Sequence, residues 1–305
     1  MRIDEVDLKL LRAIEWGGIL AYNSAVKELK LDDGEIRRRL ERMRGENLVR
    51  GLKATIFVPP FLGREWVWGC TLIQTSKPEL VAEAITSKVP FVTEVITNAA
   101  VPTGIGYNMS VLFYATNFEE VQKFLAEIRN IEYVEVYEIG RYSFPLAQSF
   151  STDEKHLLRA VAEHPDAGID QLAESTGKTG DWVMAKLESL VWDPENTKGV
   201  ILVLPEIDWR VAENFAHVHF LLEVSAAPEN VAGQLKKKGF ASVFEGRLYH
   251  NRYLLLEADV WGFDDLRARK ETLDKTRGIA LAGIMLAERN RVVTDWVAKL
   301  LEPNA

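Results

Sequence analysis

Residues 10–13 read Leu-Leu-Arg-Ala, and residues 157–160 read Leu-Leu-Arg-Ala again. The same 147-residue offset pairs Ile36 with Val183, Leu40-Glu41 with Leu187-Glu188, and Met43 with Leu190. Solenoid repeats recur at roughly 20–50 residues, so a period this long points to two related halves fused in one chain.

Around the first copy, Val6, Leu10, Leu11 and Ile14 fall at helical spacing and stop before Gly17-Gly18, which reads as one helix. A short helix fits Ser24 to Leu29, and a turn follows at Lys30-Leu-Asp-Asp. Asp32 or Asp33 can accept hydrogen bonds from the free amides that open the next helix. In that helix Ile36, Leu40 and Met43 form the buried stripe, and Asn47 stands where the chain leaves it, a residue that tolerates the left-handed cap conformation. Leu48-Val-Arg-Gly-Leu then begins an extended segment, and Pro59-Pro60 closes the unit. Three short helices followed by a ribbon is the winged helix-turn-helix pattern.

Residues 66–142 change rhythm. Strands are expected at Trp66–Gln74, Phe91–Ala99, Tyr107–Ala115 and Tyr133–Ile139, with helices at Pro78–Thr86 and Phe118–Ile128. That is the βαββαβ order of a ferredoxin-like domain. Its helices cover one face of an antiparallel sheet and leave the other to pair. The second half repeats the plan: helices within 152–192, strands at His217–Val224, Ala241–Leu248, Arg252–Ala258 and Ile279–Ala287, helices at Pro228–Lys237 and Phe263–Leu273, and a last helix at Val292–Leu301. The expected fold class is α+β, two winged helix-turn-helix domains alternating with two ferredoxin-like domains. The boundaries read as 1–60, 61–146, 147–199 (a degenerate helix-turn-helix) and 200–305.

Composition fits this plan. A chain of 305 residues with 47% hydrophobic and 27% charged residues can bury several small cores. The start, Met1-Arg-Ile-Asp-Glu-Val-Asp, lacks an apolar leader, and the apolar runs are strand-length, so a cytoplasmic protein with no membrane partner is expected. The single cysteine, Cys70, reads as a buried small hydrophobe. Net charge is −8, yet residues 1–53 carry 12 basic against 10 acidic side chains while residues 151–199 carry 5 against 10. The two copies have diverged in the property that steers charged partners.

Asp7, Leu10-Leu11, the run Ile36-Arg-Arg-Arg39-Leu40-Glu-Arg42-Met43, and Asn47-Leu48-Val49-Arg50-Gly51, followed by the sheet domain with Gly106-Tyr107-Asn108 after its central turn, resemble the Lrp/AsnC family of transcription regulators. The resemblance covers nearly the whole chain, twice. It implies a DNA-binding regulator whose sheet domains assemble it and bind a small effector such as an amino acid. The family commonly has Gly where Asn47 stands, and an Asp where Asn108 stands. The tandem fusion and the Tyr107-Asn108 turn are also similar to a side branch, the siroheme decarboxylases, and this gives the alternative reading of a tetrapyrrole enzyme.

Within that frame Arg37, Arg38 and Arg42 are expected to face the major groove, where a guanidinium grips guanine bidentately, and Arg39 and Arg44 to contact phosphates. The matching helix of the second copy has only Lys186, and so is expected to bind DNA poorly. Gly104, Gly106, Tyr107 and Asn108 are the candidate effector site, since glycines let a ligand approach the backbone, although the same residues suit a plain hairpin turn. His217 and His219 alternate on a strand, face one side, and with His250 could hold a metal or a tetrapyrrole carboxylate. Satisfied interface histidines are the blander alternative. No zinc-ligand spacing, glycine-rich phosphate loop or nucleophile elbow appears, so no catalytic residue, metal or cofactor is expected. Double-stranded DNA is the expected partner, and a single reading head per chain implies a homodimer.

Overall fold

The computed structural model describes residues 1–14, 29–62, 66–101, 107–116, 118–128, 131–138, 149–191, 199–225, 227–248 and 251–302. The expected helix at Ser24–Leu29 and the turn residues Gly104 and Gly106 fall largely or wholly outside them. Chain contacts define two units. One joins the sheet segments (Met1–Arg2, Val67–Tyr142 and Asp208–Arg291), and the other joins the helix-turn-helix segments (Ile3–Trp66, Ser143–Ile207 and Val292–Ala305).

In the helical unit, α1 (residues 5–14) and α2 (Asp33–Gly45) belong to the first copy. Helices α6 (Thr152–Glu163), α7 (Ile169–Thr176) and α8 (Gly180–Leu190) belong to the second. Most of the expected stripe residues are buried, Leu10, Leu11, Ile36 and Met43 against Leu157, Leu158, Val183 and Leu190, while Val6, Ile14 and Leu40 are partly buried. Asp32 caps α2 by accepting from the Glu35 amide at 2.9 Å, and Thr179, 147 residues on, caps α8 from the Trp182 amide at 3.3 Å. Asn47 has φ 62°, and the bonds Asn47 N to Arg44 O and Leu48 N to Met43 O close the Schellman turn that ends α2.

The ribbon departs from what the sequence suggests. Strand β1 (Val49–Ile56) pairs antiparallel with β6 (Ile201–Ile207) of the other copy, from Val49↔Ile207 to Ile56↔Ile201. Two edge strands that would each expose unpaired backbone instead satisfy one another. Residues 201–207, expected in the second sheet domain, therefore belong to the helical unit. The chain end belongs there too. Residues expected to start the last helix extend a strand as far as Val292, and only Val297–Leu300 forms α11, packing on α6 with Trp296, Val297, Leu300 and Leu301 buried.

In the sheet unit the first half contains β2 (Val67–Thr75), α4 (Pro78–Lys88), β3 (Phe91–Val101), β4 (Met109–Ala115), α5 (Phe118–Ala126) and β5 (Ile131–Glu138). The short helix α3 (Pro59–Leu62) precedes it in the chain. The second half contains β7 (Ala216–Val224), α9 (Pro228–Lys236), β8 (Ala241–Leu248), β9 (Asn251–Val260), α10 (Phe263–Asp274) and β10 (Ile279–Val292). Each expected βαββαβ element is present, and Pro78 and Pro228 open equivalent helices at a position where proline's missing amide costs no bond.

The eight strands form one sheet in the order β5-β2-β4-β3-β10-β7-β9-β8, two ferredoxin-like orders joined head to tail through β3 and β10. The remaining edges, β5 and β8, approach one another. Even-numbered residues of β7 and β9, Val218, Phe220, Leu222, Leu254 and Leu256, lie under the second half's helices. The opposite face joins the halves: Cys70, Leu72, Tyr107 and Leu112 share a core with Leu221, Tyr253 and Met285. The free sheet face that the βαββαβ order leaves is thus covered within one chain.

Candidate functional site

The arginines of α2 divide by what they touch. Asp4 accepts from the Asp7 amide at 2.9 Å while the Asp7 carboxylate accepts from the Asp4 amide at 3.1 Å, a reciprocal cap at the start of α1. Ser151 and Glu154, each 147 residues later, make the same capping box on α6. Asp7 is 1% exposed and would be a costly buried charge alone, but Arg39 donates to it at 2.7 Å and Arg42 also reaches it. Arg39, 19% exposed, further donates to Asp4 at 2.9 Å and Glu35 at 2.7 Å. Its burial disfavours the charge, but hydrogen bonds to Asp4, Asp7 and Glu35 outweigh this and hold its pKa above the ordinary value.

The second copy repeats that pair. Lys186, the counterpart of Arg39, donates to Glu154, the counterpart of Asp7, at 2.7 Å. The Lys186 hydrogen bond is the largest reason the Glu154 carboxyl lies below its usual range. Lys178 is likewise engaged, with Asp153 at 2.5 Å and over the Trp182 ring. Arg39 and Arg42 both serve Asp7, Arg39 from a largely buried position and Arg42 from an exposed one. Arg37, Arg38 and Arg44 are exposed; Arg38, whose side chain is 75% exposed, pairs with Glu35 on its own helix. Their counterparts in the second copy are Met184, Ala185 and Val191.

Of the candidate effector residues, Tyr107 and Asn108 are among the described ones. Tyr107 is 0% exposed and belongs to the core between the sheet halves. Asn108 commits both ends of its amide to Thr75: Nδ2 donates to the Thr75 carbonyl at 2.6 Å, and Oδ1 accepts from the Thr75 amide at 3.1 Å. This locks the entry of β4 onto the end of β2. Both residues thus take part in the packing and bonding of the sheet, and the asparagine suits the task because it both donates and accepts.

A polar cluster that the sequence showed only in part lies on the inner face of the second half. In the β7–β9 register His217 stands opposite Asp259 and His219 opposite Glu257, so all four share the inner face. His217 Nδ1 is 3.2 Å from Asp259 Oδ1, His219 Nε2 is 3.7 Å from Glu257 Oε1, and the imidazoles are edge to face at 5.0 Å. Trp209 stacks on His217 at 5.8 Å. The sequence pairs the histidines with His250, which lies outside the described residues, and does not point to the carboxylates. Their i, i+2 spacing is visible, but the strand register that brings them to the histidines is not.

In the first half, the equivalent cross-strand pairs are Trp68 opposite Tyr114 and Cys70 opposite Leu112. The constellation therefore exists in one half only. Burial, with Glu94 and Glu257 adding to it, pushes the Cys70 thiol up to about 12, which fits the expected inert hydrophobe.

No family model matches the chain. The HTH-type transcriptional regulator LysM of Saccharolobus solfataricus is 25% identical over 130 residues, 43% of this chain and 86% of that protein. The crystal structure of the siroheme decarboxylase NirDL covers 97% of both chains with a TM-score of 0.53 at 12% identity. Its complex with an iron-uroporphyrin III analogue covers 93% of this chain and 92% of that one, with a TM-score of 0.50 at 13% identity. The two resemblances read from the sequence thus recur: a helix-turn-helix regulator in sequence, and the siroheme decarboxylase fold over both copies. Among the described residues, no helix is long and apolar enough to cross a membrane.

Proposed function

We propose that this chain is a DNA-binding transcription regulator of Lrp/AsnC type whose first helix-turn-helix carries the reading helix. One observation carries the reading. The base kept in both copies, Arg39 or Lys186, holds an internal acid, whereas Arg37, Arg38 and Arg44 are exposed and are replaced by Met184, Ala185 and Val191 in the second copy. The one base kept in both copies builds the domain, and the exposed bases, Arg42 included (Ser189 in the second copy), are lost where no partner is bound. Exposed guanidiniums on a capped helix suit phosphate and guanine contacts, so Arg37 and Arg38 are the base readers and Arg44 a phosphate contact.

The sheet unit serves assembly and effector binding, with an amino acid as the effector class. One reading helix per chain requires a homodimer to read a two-fold site. Selection of genomic fragments by the purified protein, followed by sedimentation with and without the selected DNA, tests both points. Enrichment of a palindromic sequence bound by a dimer is expected. Absence of any enriched sequence would refute the reading.

A second reading, a siroheme decarboxylase-like tetrapyrrole enzyme, is favoured by the one-sided cluster of His217, His219, Glu257 and Asp259. Titration with sirohaem separates the two. A shifted Soret band at micromolar ligand, with a carboxyl group lost from the sirohaem as carbon dioxide, would favour the enzyme, and an unchanged spectrum the regulator.

A further inference from the structure

We propose that His217, His219 and Glu257 bind a divalent first-row transition-metal ion, Zn²⁺ being the reference case, with Asp259 as the outer carboxylate. Each of the three offers a ligand atom, and these atoms all lie within 4.8 Å of one another. Two imidazoles and one carboxylate suit borderline ions of this class, and three protein ligands leave a further position for water or a small ligand. Metal–ligand distances of about 2.0–2.2 Å require the three side chains to draw together, which rotation about their own bonds can supply. The backbone needs no rearrangement, because the β7–β9 register already sets the histidines opposite the acids.

Three further observations point to a ligand. His219 is 3% exposed, its Nδ1 has no hydrogen-bond partner among the described residues, and its Nε2 lies 3.7 Å from Glu257, too far for a hydrogen bond. A buried ring left in that state is costly unless something binds it. Asp259 stands 3.2 Å from His217 Nδ1, the arrangement in which a carboxylate orients a metal-binding imidazole and strengthens it as a donor. The third is the internal comparison: Trp68, Cys70, Leu112 and Tyr114 occupy the same four places in the first half. The fold is built there with one cysteine and three aromatic or aliphatic residues, so it does not require two histidines and two acids.

The test uses the full-length protein without a histidine tag, stripped with chelator. Zn²⁺ is titrated in competition with a chromophoric chelator, and Co²⁺ is titrated while visible absorption is followed. One equivalent per chain is expected, with Co²⁺ bands in the region typical of low-coordinate nitrogen and oxygen ligation. Glu257→Gln, nearly isosteric, and His219→Ala should each abolish stoichiometric binding. Asp259→Asn should weaken it by about 10- to 100-fold. A His156→Ala/His164→Ala variant, altered at exposed histidines of the helical unit, should bind as wild type. Circular dichroism checks that each variant is folded, and Glu257→Gln keeps the test decisive if His219→Ala is not. Absence of Co²⁺ bands, or full retention of the equivalent in the Glu257→Gln and His219→Ala variants, would overturn the proposal. No DNA enters the experiment, so its failure leaves the regulator reading standing.

Discussion

Helices α2 and α8 occupy equivalent places in the two helix-turn-helix copies, and they differ chiefly on the side that their copies do not use for folding. Both are capped from the same position, both bury the equivalent pair, Ile36 and Met43 or Val183 and Leu190, and both send the base at the same position, Arg39 or Lys186, to an acid on the helix that opens their domain. What has changed is exposed in the first copy: Arg37, Arg38, Arg42 and Arg44 against Met184, Ala185, Ser189 and Val191. The sheet halves differ in the same way on an inner face, where Trp68, Cys70, Leu112 and Tyr114 answer His217, His219, Glu257 and Asp259. Duplication acts as an internal control. Features common to both copies belong to folding, and features of one copy are where function is to be sought.

If the buried stripe is shared architecture, damage to it should not depend on the copy. Leu11→Ala and Leu158→Ala each remove a fully buried side chain and should each cost about 2–5 kcal/mol in urea denaturation. A large loss in one copy with none in the other would break the equivalence. The ion pairs should sharpen it instead, because their burial differs. Asp7→Ala removes the buried acid that two guanidiniums share, together with its part in the cap, and should cost about 2–4 kcal/mol. Glu154→Ala, whose partner Lys186 is more exposed, should cost about 1 kcal/mol, cap included.

Left-handed backbone gives another comparison. Lys30 has φ 53° where its counterpart Gly177 has φ 65°. A side chain in that conformation is strained, so Lys30→Gly should stabilise the chain by about 1 kcal/mol, and Gly177→Ala should destabilise it by a similar amount.

The smallest expected effect concerns acid. The Glu154 carboxyl lies below its ordinary 4.5, chiefly through Lys186. An acid with a lowered folded-state pKa stabilises the fold above its unfolded pKa, and that contribution fades as pH falls through the folded value. Urea midpoints measured from pH 7 downward should therefore fall less below pH about 4.5 in Glu154→Gln than in wild type. Equal falls would mean that the pair contributes nothing.

The elements are largely legible in the sequence because period-two and period-3.6 patterns are local properties of the chain. Asn47 is readable as a left-handed cap, as is Pro78 or Pro228 as a helix start. The β1–β6 pairing is not, because it joins residues 49–56 to residues 201–207, and nothing local in Ile201–Ile207 names its partner. The site is legible in types and not in assignments. Five arginines stand out, but which of them serve Asp7 depends on how α1 meets α2. Likewise the histidines are visible, while Glu257 and Asp259 become their neighbours only through strand register.

The central claim is that DNA is read by exposed arginines of the first copy and not by the second. It is tested most directly by measuring DNA affinity between 50 and 200 mM salt for the Arg37→Ala/Arg38→Ala/Arg44→Ala and Lys178→Ala/Lys186→Ala variants. Log affinity falls with log salt by about 0.9 for each phosphate neutralised. The triple-arginine variant should bind more weakly, by roughly 1–3 kcal/mol for each base-reading guanidinium removed, with a flatter salt dependence. The double-lysine variant, provided it stays folded by circular dichroism, should match wild type in both affinity and slope. Full binding by the triple-arginine variant, with weakened binding by a folded double-lysine variant, would contradict the claim.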